Sequence, residues 1–325
     1  MRVAVVGLGL IGGSVARRLA PAHDVRVWDT DPGTRELAAR QGLTVAEDVT
    51  GTDVVVVATP MDALPAVLTG LAGAPAARDR PIVTDVGSVK VPVLAAARTA
   101  GLHDRYVGGH PMTGVERSGF DASDPALLDD AAWVLVLEDD TDLAGWLTVA
   151  ELVTAAGCRV VPATAADHDE AQARISGLPH LLASALALAG DDGGPLARAL
   201  AAGSFRDGTR VAGTRPEFVA ALCDTNREAL ARVLDATLAD LTAARDALAA
   251  GRSVLPLAEA GNRASRSWAE AVGTGTSLDR QAPDLRAQLL DLGAAGGTID
   301  TVTDRRVHGQ CPVVSRPART GKLAL

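Results

Sequence analysis

Of the six histidines in this 325-residue chain, His110 has the most unusual setting. It lies in GGHPMTGVERSG (108–119), where two glycines, a proline and a Glu-Arg pair follow a short apolar run. Gly and Pro of this density suit a plain surface loop. A histidine titrating near neutrality is equally suited to take a proton from a hydroxyl as hydride leaves the same carbon. Ser88, in TDVGSVK (84–90), stands where an apolar run gives way to a helical pattern. A helix-capping serine and a site serine fit that position about equally well. Near the N-terminus, Gly7, Gly9 and Gly12 form G-x-G-x-x-G within VAVVGLGLIGGSVARRL. The first glycine permits a tight turn, the second lets backbone approach a pyrophosphate, and the third lets helix and strand pack closely. Asp29 follows 17 residues past Gly12 and is succeeded by Thr30 rather than Arg. A carboxylate there accepts hydrogen bonds from the adenine ribose and repels a 2′-phosphate, so NAD is the expected cofactor. Thr59 and Pro60 end VVVVATP (54–60) at a strand's carboxyl edge, placed to line that cofactor, although Pro60 also suits the first turn of a helix.

Positioning these residues requires strands that end together. VAVV (3–6), VRVW (25–28), VVVV (54–57), IVTDV (82–86), WVLVL (133–137) and RVV (159–161) read as strands, with helical patterns between most of them. Apolar strands without alternation indicate a parallel sheet covered on both faces. The reading is an α/β Rossmann-type domain over 1–162, with His110 at the carboxyl-end crevice. From about 163 long Ala/Leu-rich helical periods take over, and residues 163–255 read as an all-α domain. Asp167, three residues before Glu170, resembles a capping box opening its first helix (166–190). Residues 256–325 show no clear periodicity and read as a tail without an assignable fold.

Together DVGSVK, GGHPMTGVERSG, RISGLPHLLASAL and FRDGTR (205–210), following the glycine fingerprint, resemble the prephenate dehydrogenases, a family that includes arogenate dehydrogenases. The resemblance covers about 1–250. It implies an N-terminal dinucleotide domain, a helical domain that forms a homodimer, and oxidation of the prephenate C4 hydroxyl by NAD(P)+ with loss of the ring carboxylate as CO2. It implies His110 as the residue accepting the hydroxyl proton and Ser88 as the residue that contacts the same hydroxyl or orients that histidine. Glu116 would lie near the mouth of the site, Ser176 and His180 would face the substrate from the first helix of the helical domain, and Arg210 would grip a substrate carboxylate. A planar, permanently charged guanidinium suits a dianion better than lysine does. Two departures bear on substrate recognition: Gly177 stands where the family often has histidine, and Val115 where it often has threonine. Gly177 is expected to open space beside His180. Lys90 reads as a solvated first-turn residue, and His23, His103, His168 and His308 as structural or surface residues.

The net charge of −9 without a basic stripe argues against nucleic acid as a partner. Three cysteines without metal-ligand spacing suit reduced thiols rather than a disulfide framework or a zinc site. No apolar run reaches the roughly 18 residues of a membrane span, and no secretory leader is recognisable, so the expected location is cytoplasmic. No metal is expected. Within the same class, an amino-deoxyprephenate dehydrogenase shares these motifs. A β-hydroxyacid dehydrogenase or imine reductase shares the architecture, but those use a lysine or an Asp/Tyr constellation in the helical domain, and helix 166–190 contains no lysine. A non-catalytic NAD sensor would have no need of a proton acceptor.

Overall fold

The structure is a computed structural model and describes residues 1–73, 80–115, 117–269 and 272–313. It opens with β1 (Arg2–Val6), α1 (Leu10–Leu19), β2 (Asp24–Trp28), α2 (Pro32–Arg40) and β3 (Thr44–Val45). Then come β4 (Val54–Val57), α3 (Leu64–Gly73), β5 (Ile82–Asp85), α4 (Val91–Thr99) and β6 (Tyr106–Val107). These six strands form one parallel sheet in the order β3-β2-β1-β4-β5-β6. The four valines of β4 are all buried. Val55 and Val57 meet Leu64 and Leu68 of α3, while Val54 and Val56 join the core containing Val15 and Leu19 of α1. That two-sided burial is why the strand does not alternate.

The later strands do not extend this sheet, contrary to the single-sheet expectation. β7 (Gly109–Pro111) and β8 (Ala132–Val136) pair antiparallel, and β9 (Arg159–Ala163) lies parallel to β8 after α5 (Leu143–Ala155). The chain changes sheets at Gly108, whose carbonyl accepts from the Val136 N–H at 2.8 Å. An all-apolar strand sequence reports burial on both faces but not which neighbour it pairs with.

A helical region follows: α6 (Ala165–Gln172), a π-helical turn (Ala173–Gly177), α7 (Leu178–Asp192), α8 (Gly194–Leu200), α9 (Gly203–Thr209), α10 (Pro216–Thr225) and α11 (Arg227–Ala249). The α6 cap is Thr164, whose hydroxyl oxygen accepts from the Asp167 N–H at 3.1 Å, so the helix begins earlier than the Asp167 capping box implied. The buried core here is small, built on Ala173, Ala229, Leu230 and Val233. Leu188, Leu196 and Leu200 remain 69%, 70% and 71% exposed.

The described residues between 255 and 313 are folded, where the sequence allowed no fold to be assigned. They form α12 (Leu255–Ala269), β10 (Val272–Asp279), α13 (Leu285–Ala294), β11 (Thr298–Val302) and β12 (Arg306–Val313). Their strands complete a second six-stranded sheet, β10-β12-β11-β9-β8-β7, through antiparallel pairing of β11 with β9. Leu285, Leu289, Ile299 and Val307 are buried in the same core as Trp146 of α5. The pattern was hidden because β10 (VGTGTSLD) is rich in Gly and Thr and β11 shifts register against β12 between Ile299 and Thr301. Among the described residues, no helix is long and apolar enough to cross a membrane.

Candidate active site

The turn between β1 and α1 follows the steric logic of its glycines. Gly7 has φ +96°, and a Cβ there would lie 2.6 Å from the Ala58 carbonyl oxygen. A Cβ on Gly12 would collide with the Gly7 carbonyl oxygen, whereas one on Gly9 would meet nothing within 4 Å. Gly9 therefore faces open space just ahead of α1, whose first N–H groups suit an anion. The Asp29 carboxylate accepts from the Leu8 N–H at 2.6 Å and the Asp31 N–H at 2.9 Å, which ties it to the glycine turn. The Thr59 hydroxyl at the end of β4 is buried with no hydrogen-bond partner among the described residues, and Pro60 is exposed. An open glycine cradle, a pinned carboxylate and an orphaned hydroxyl fit a dinucleotide.

His110 sits in β7 opposite Val134 of β8, immediately after the chain leaves the first sheet. The preceding Gly109 is required there, since a Cβ would lie 2.5 Å from the Asp85 carbonyl oxygen. The His110 ring is buried, and its pKa is pushed well below the ordinary 6.5 by desolvation first, then by His168 and by Lys90. It therefore rests as a neutral imidazole.

Two residues missed from sequence surround it. Lys90 is not a solvated first-turn residue: it is 1% exposed. Its ammonium reaches Asp85 Oδ2 at 2.5 Å and the Gly109 carbonyl at 2.6 Å. Burial lowers the Lys90 pKa, with Asp85 and then Asp169 opposing that shift. Asp85 Oδ1 also accepts from the Tyr106 hydroxyl (2.7 Å) and the Gly109 N–H (3.0 Å), and Oδ2 from the Gly87 N–H (2.8 Å). This full set of donors suits an ionised carboxylate. Burial, then Asp85, raises the Tyr106 pKa well above 10, so that phenol stays a donor. His168, on α6, is buried with its Nε2 2.9 Å from His110 Nδ1, and its own Nδ1 lies 2.7 Å from Asp169 Oδ1. Its signal in sequence was only the pair His168-Asp169 on a helix.

Ser88 is half-buried three residues ahead of α4, but it does not cap that helix. Asp169 does so from α6, accepting the Lys90 and Val91 N–H groups at 2.7 and 2.8 Å. Ser176 is half-buried in the π-helical turn. His180 Nδ1 donates to the Val211 carbonyl at 3.3 Å, which brings α7 against the turn that begins at Arg210. Arg210 is exposed, and no hydrogen bond or ion pair among the described residues joins it or His180 to His110. Gly177 does not open space beside His180. It is buried, and a Cβ there would meet Leu230 of α11 at 3.1 Å. Val115 is exposed, and Glu116 lies outside the described residues.

A parallel Rossmann sheet with a glycine-turn cradle, joined to a helical region, defines the class: a dinucleotide-binding α/β protein with a helical second part. The family follows from comparison. Residues 13–162 match the model described as prephenate dehydrogenase, nucleotide-binding domain, and residues 164–254 match prephenate dehydrogenase, dimerization domain. The chain belongs to the prephenate dehydrogenase family. It is 32% identical over 223 residues to the prephenate dehydrogenase of Lactococcus lactis, covering 65% of this chain and 61% of that enzyme's length. It is 33% identical over 263 residues to the cyclohexadienyl dehydrogenase of Zymomonas mobilis, covering 76% of this chain and 88% of that protein. A crystal structure from Corynebacterium glutamicum, described as a candidate prephenate dehydrogenase, superposes with a TM-score of 0.85 at 35% identity. That match covers 93% of this chain and 99% of the other, so it reaches well past the helical region.

Proposed function

We propose that this protein oxidises prephenate, or its amino counterpart arogenate, with NAD+ and loss of CO2, in the supply of tyrosine. The carrying observation is His110, a neutral buried imidazole that follows the last strand of the Rossmann sheet. A base held neutral at working pH is ready to accept a hydroxyl proton. Gly7, Gly9 and Gly12 would hold NAD+, which would supply the hydride acceptor. Asp29 holds the adenine ribose and Thr59 and Pro60 line the cofactor. Ser88 contacts the substrate hydroxyl beside His110. Arg210 grips a substrate carboxylate, Ser176 and His180 face the substrate, and Glu116 serves as the acidic residue near the mouth of the site.

The proton balance defines what His110 does. It takes the C4 hydroxyl proton as the ring carbon becomes a carbonyl. That carbonyl is vinylogous to the ring carboxylate, so the C–CO2 bond breaks and its electrons aromatise the ring, leaving a phenolate oxygen. The phenolate takes the proton back from His110. No net proton is released by the substrate, and the base is restored for the next turnover.

The exposed leucines of α7 and α8, within the region that matches the dimerization-domain model, support assembly as a homodimer through the helical region. The deciding experiment follows NAD+ reduction with prephenate and arogenate in parallel, then repeats the better substrate with NADP+. Turnover of either substrate with a higher kcat/KM for NAD+ is expected. No turnover of either would overturn the reading, and an NADP+ preference would overturn the role of Asp29.

A further inference from the structure

We propose that His168 and Asp169 are positioning residues for this reaction, forming with His110 a hydrogen-bonded chain that leaves one nitrogen of His110 bare and holds the transferred proton. The inference rests on the reading of His110 as the base, and its argument begins at the far end of the chain. Asp169 Oδ1 accepts the Lys90 N–H at 2.7 Å, and Oδ2 accepts the Val91 N–H at 2.8 Å. Backbone N–H groups can only donate, so both carboxylate oxygens act as acceptors, and the amino end of α4 favours the anion. His168 Nδ1, 2.7 Å from Asp169 Oδ1, must then carry a proton. In neutral His168 the remaining lone pair is on Nε2, which faces His110 Nδ1 at 2.9 Å. His110 Nδ1 therefore carries the proton, and His110 Nε2 is the bare nitrogen. The tautomer of the base is set two residues away from it, along the order Asp169, His168, His110.

The same chain has somewhere to put charge. A proton arriving on His110 Nε2 would create an imidazolium whose charge is opposed by the Lys90 ammonium, which Asp85 and the Gly109 carbonyl hold in place. As that Nε2–H bond forms, the His110 Nδ1–H bond breaks and an N–H bond forms on His168 Nε2. The positive charge is then on the His168 imidazolium, paired with the Asp169 carboxylate. When the phenolate takes the Nε2 proton, the steps reverse and no atom is gained or lost. Asp169 is held in place for this by more than its cap: Asn226, the residue just ahead of α11, donates from Nδ2 to the Asp169 carbonyl at 2.8 Å. Asp169 thus joins three elements, α4, α6 and α11, at one point.

Capping α4 would by itself explain a buried Asp169, so the test must read something a cap does not move. In the full-length wild type, selective 15N labelling of histidine reports which ring nitrogen carries the proton. The Nδ1–H tautomer is expected for both His110 and His168; an Nε2–H tautomer at His110 overturns the proposal. This measurement needs no variant and no substrate, so it stands even if prephenate and arogenate are not turned over. Where the wild type is active, Asp169→Asn tests the chain kinetically. The amide removes the anion that fixes the His168 Nδ1 proton and sets its own N–H2 against the backbone N–H of Lys90 or of Val91, so the chain to His110 is no longer held. A loss in kcat of about 10²-fold or more is expected, on the order of removing a general base, with KM for NAD+ and substrate within about 3-fold. His168→Leu should show the same split. Folded variants of both that keep wild-type kcat, losing only thermal stability, overturn the proposal.

Discussion

Desolvation, the neighbouring His168 ring and the Lys90 ammonium all lower the His110 pKa, and this has a consequence for stability as well as chemistry. In the unfolded chain the group regains its ordinary value of 6.5. Above that pH both states are neutral at this residue, and its neutral burial costs nothing in protonation. As pH falls from 6.5 towards the lower folded value, the unfolded chain binds a proton that the folded chain does not, so stability is lost through that window. His110→Asn removes this contribution. Denaturant unfolding at pH 7, 6 and 5 should therefore show a shallower acid loss in the variant than in the wild type. The same variant should lower kcat by about 10²–10⁴-fold, while Arg210→Gln should chiefly raise KM, because a carboxylate is gripped before as well as during the reaction. Equal acid sensitivity of wild type and His110→Asn would show that another group governs the window. Sequence made His110, Asp29 and the glycines legible because each answers to a local constraint on a turn. Lys90 and His168 were not legible in this way. A lysine in GSVK reads as solvated until Asp85 and Gly109 are known to close around it, and His168 meets His110 from 58 residues away.

Among the elements, the junction between the two sheets carries the most constraint. β6 ends at Val107 in the first sheet and β7 begins at Gly109 in the second, leaving Gly108 alone to make the crossing. Gly109 is wedged so tightly that its N–H reaches Asp85 Oδ1 and its carbonyl receives the Lys90 ammonium. A methyl group at 109 would press on the Asp85 backbone at 2.5 Å and on Trp133 Nε1 at 2.9 Å, neither of which is a flexible side-chain end. Gly109→Ala should thus cost about 1–3 kcal/mol, the usual range for overpacking, and lower kcat by displacing His110. Gly108→Ala meets Val136 side-chain atoms at 3.1 and 3.3 Å and the Tyr106 hydroxyl at 3.5 Å, all side-chain atoms, and should cost less. Thermal melts and kinetics of the two variants side by side check the order; a milder effect at 109 than at 108 would contradict it. The paired glycines before the histidine were visible in sequence as a turn. Their actual demand, close backbone approach between β5 and β7, needs the pairing of strands that the sequence does not specify.

At the scale of the whole molecule, the unit beyond α12 decides whether the protein is a Rossmann domain with an appendage or a larger single core. The pairing of β11 with β9 places the C-terminal strands on the sheet that also carries His110 through β7. α13 lies against β9, and its Leu285 and Leu289 are fully buried in the core shared with α1 and α5. Arg286 of α13 donates to the Glu138 and Thr141 carbonyls, and Glu138 Oε1 accepts the Ala165 N–H at the start of α6. The C-terminal unit thus borders the helix that carries His168 and Asp169. A detached appendage would unfold on its own, and a cavity within it would leave the main transition untouched. A shared core behaves differently, because a void at Leu289 is felt by every element lining it. Leu289→Ala is therefore expected to lower global stability by about 2–5 kcal/mol, the range for removing a buried leucine side chain, within one cooperative transition seen alike by circular dichroism and by tryptophan fluorescence. Trp146 on α5 and Trp133 on β8 belong to the same core and report from the side remote in sequence. If the variant instead shows an early partial transition while the main one keeps its wild-type midpoint, the C-terminal unit is energetically separate from the domain that holds the site.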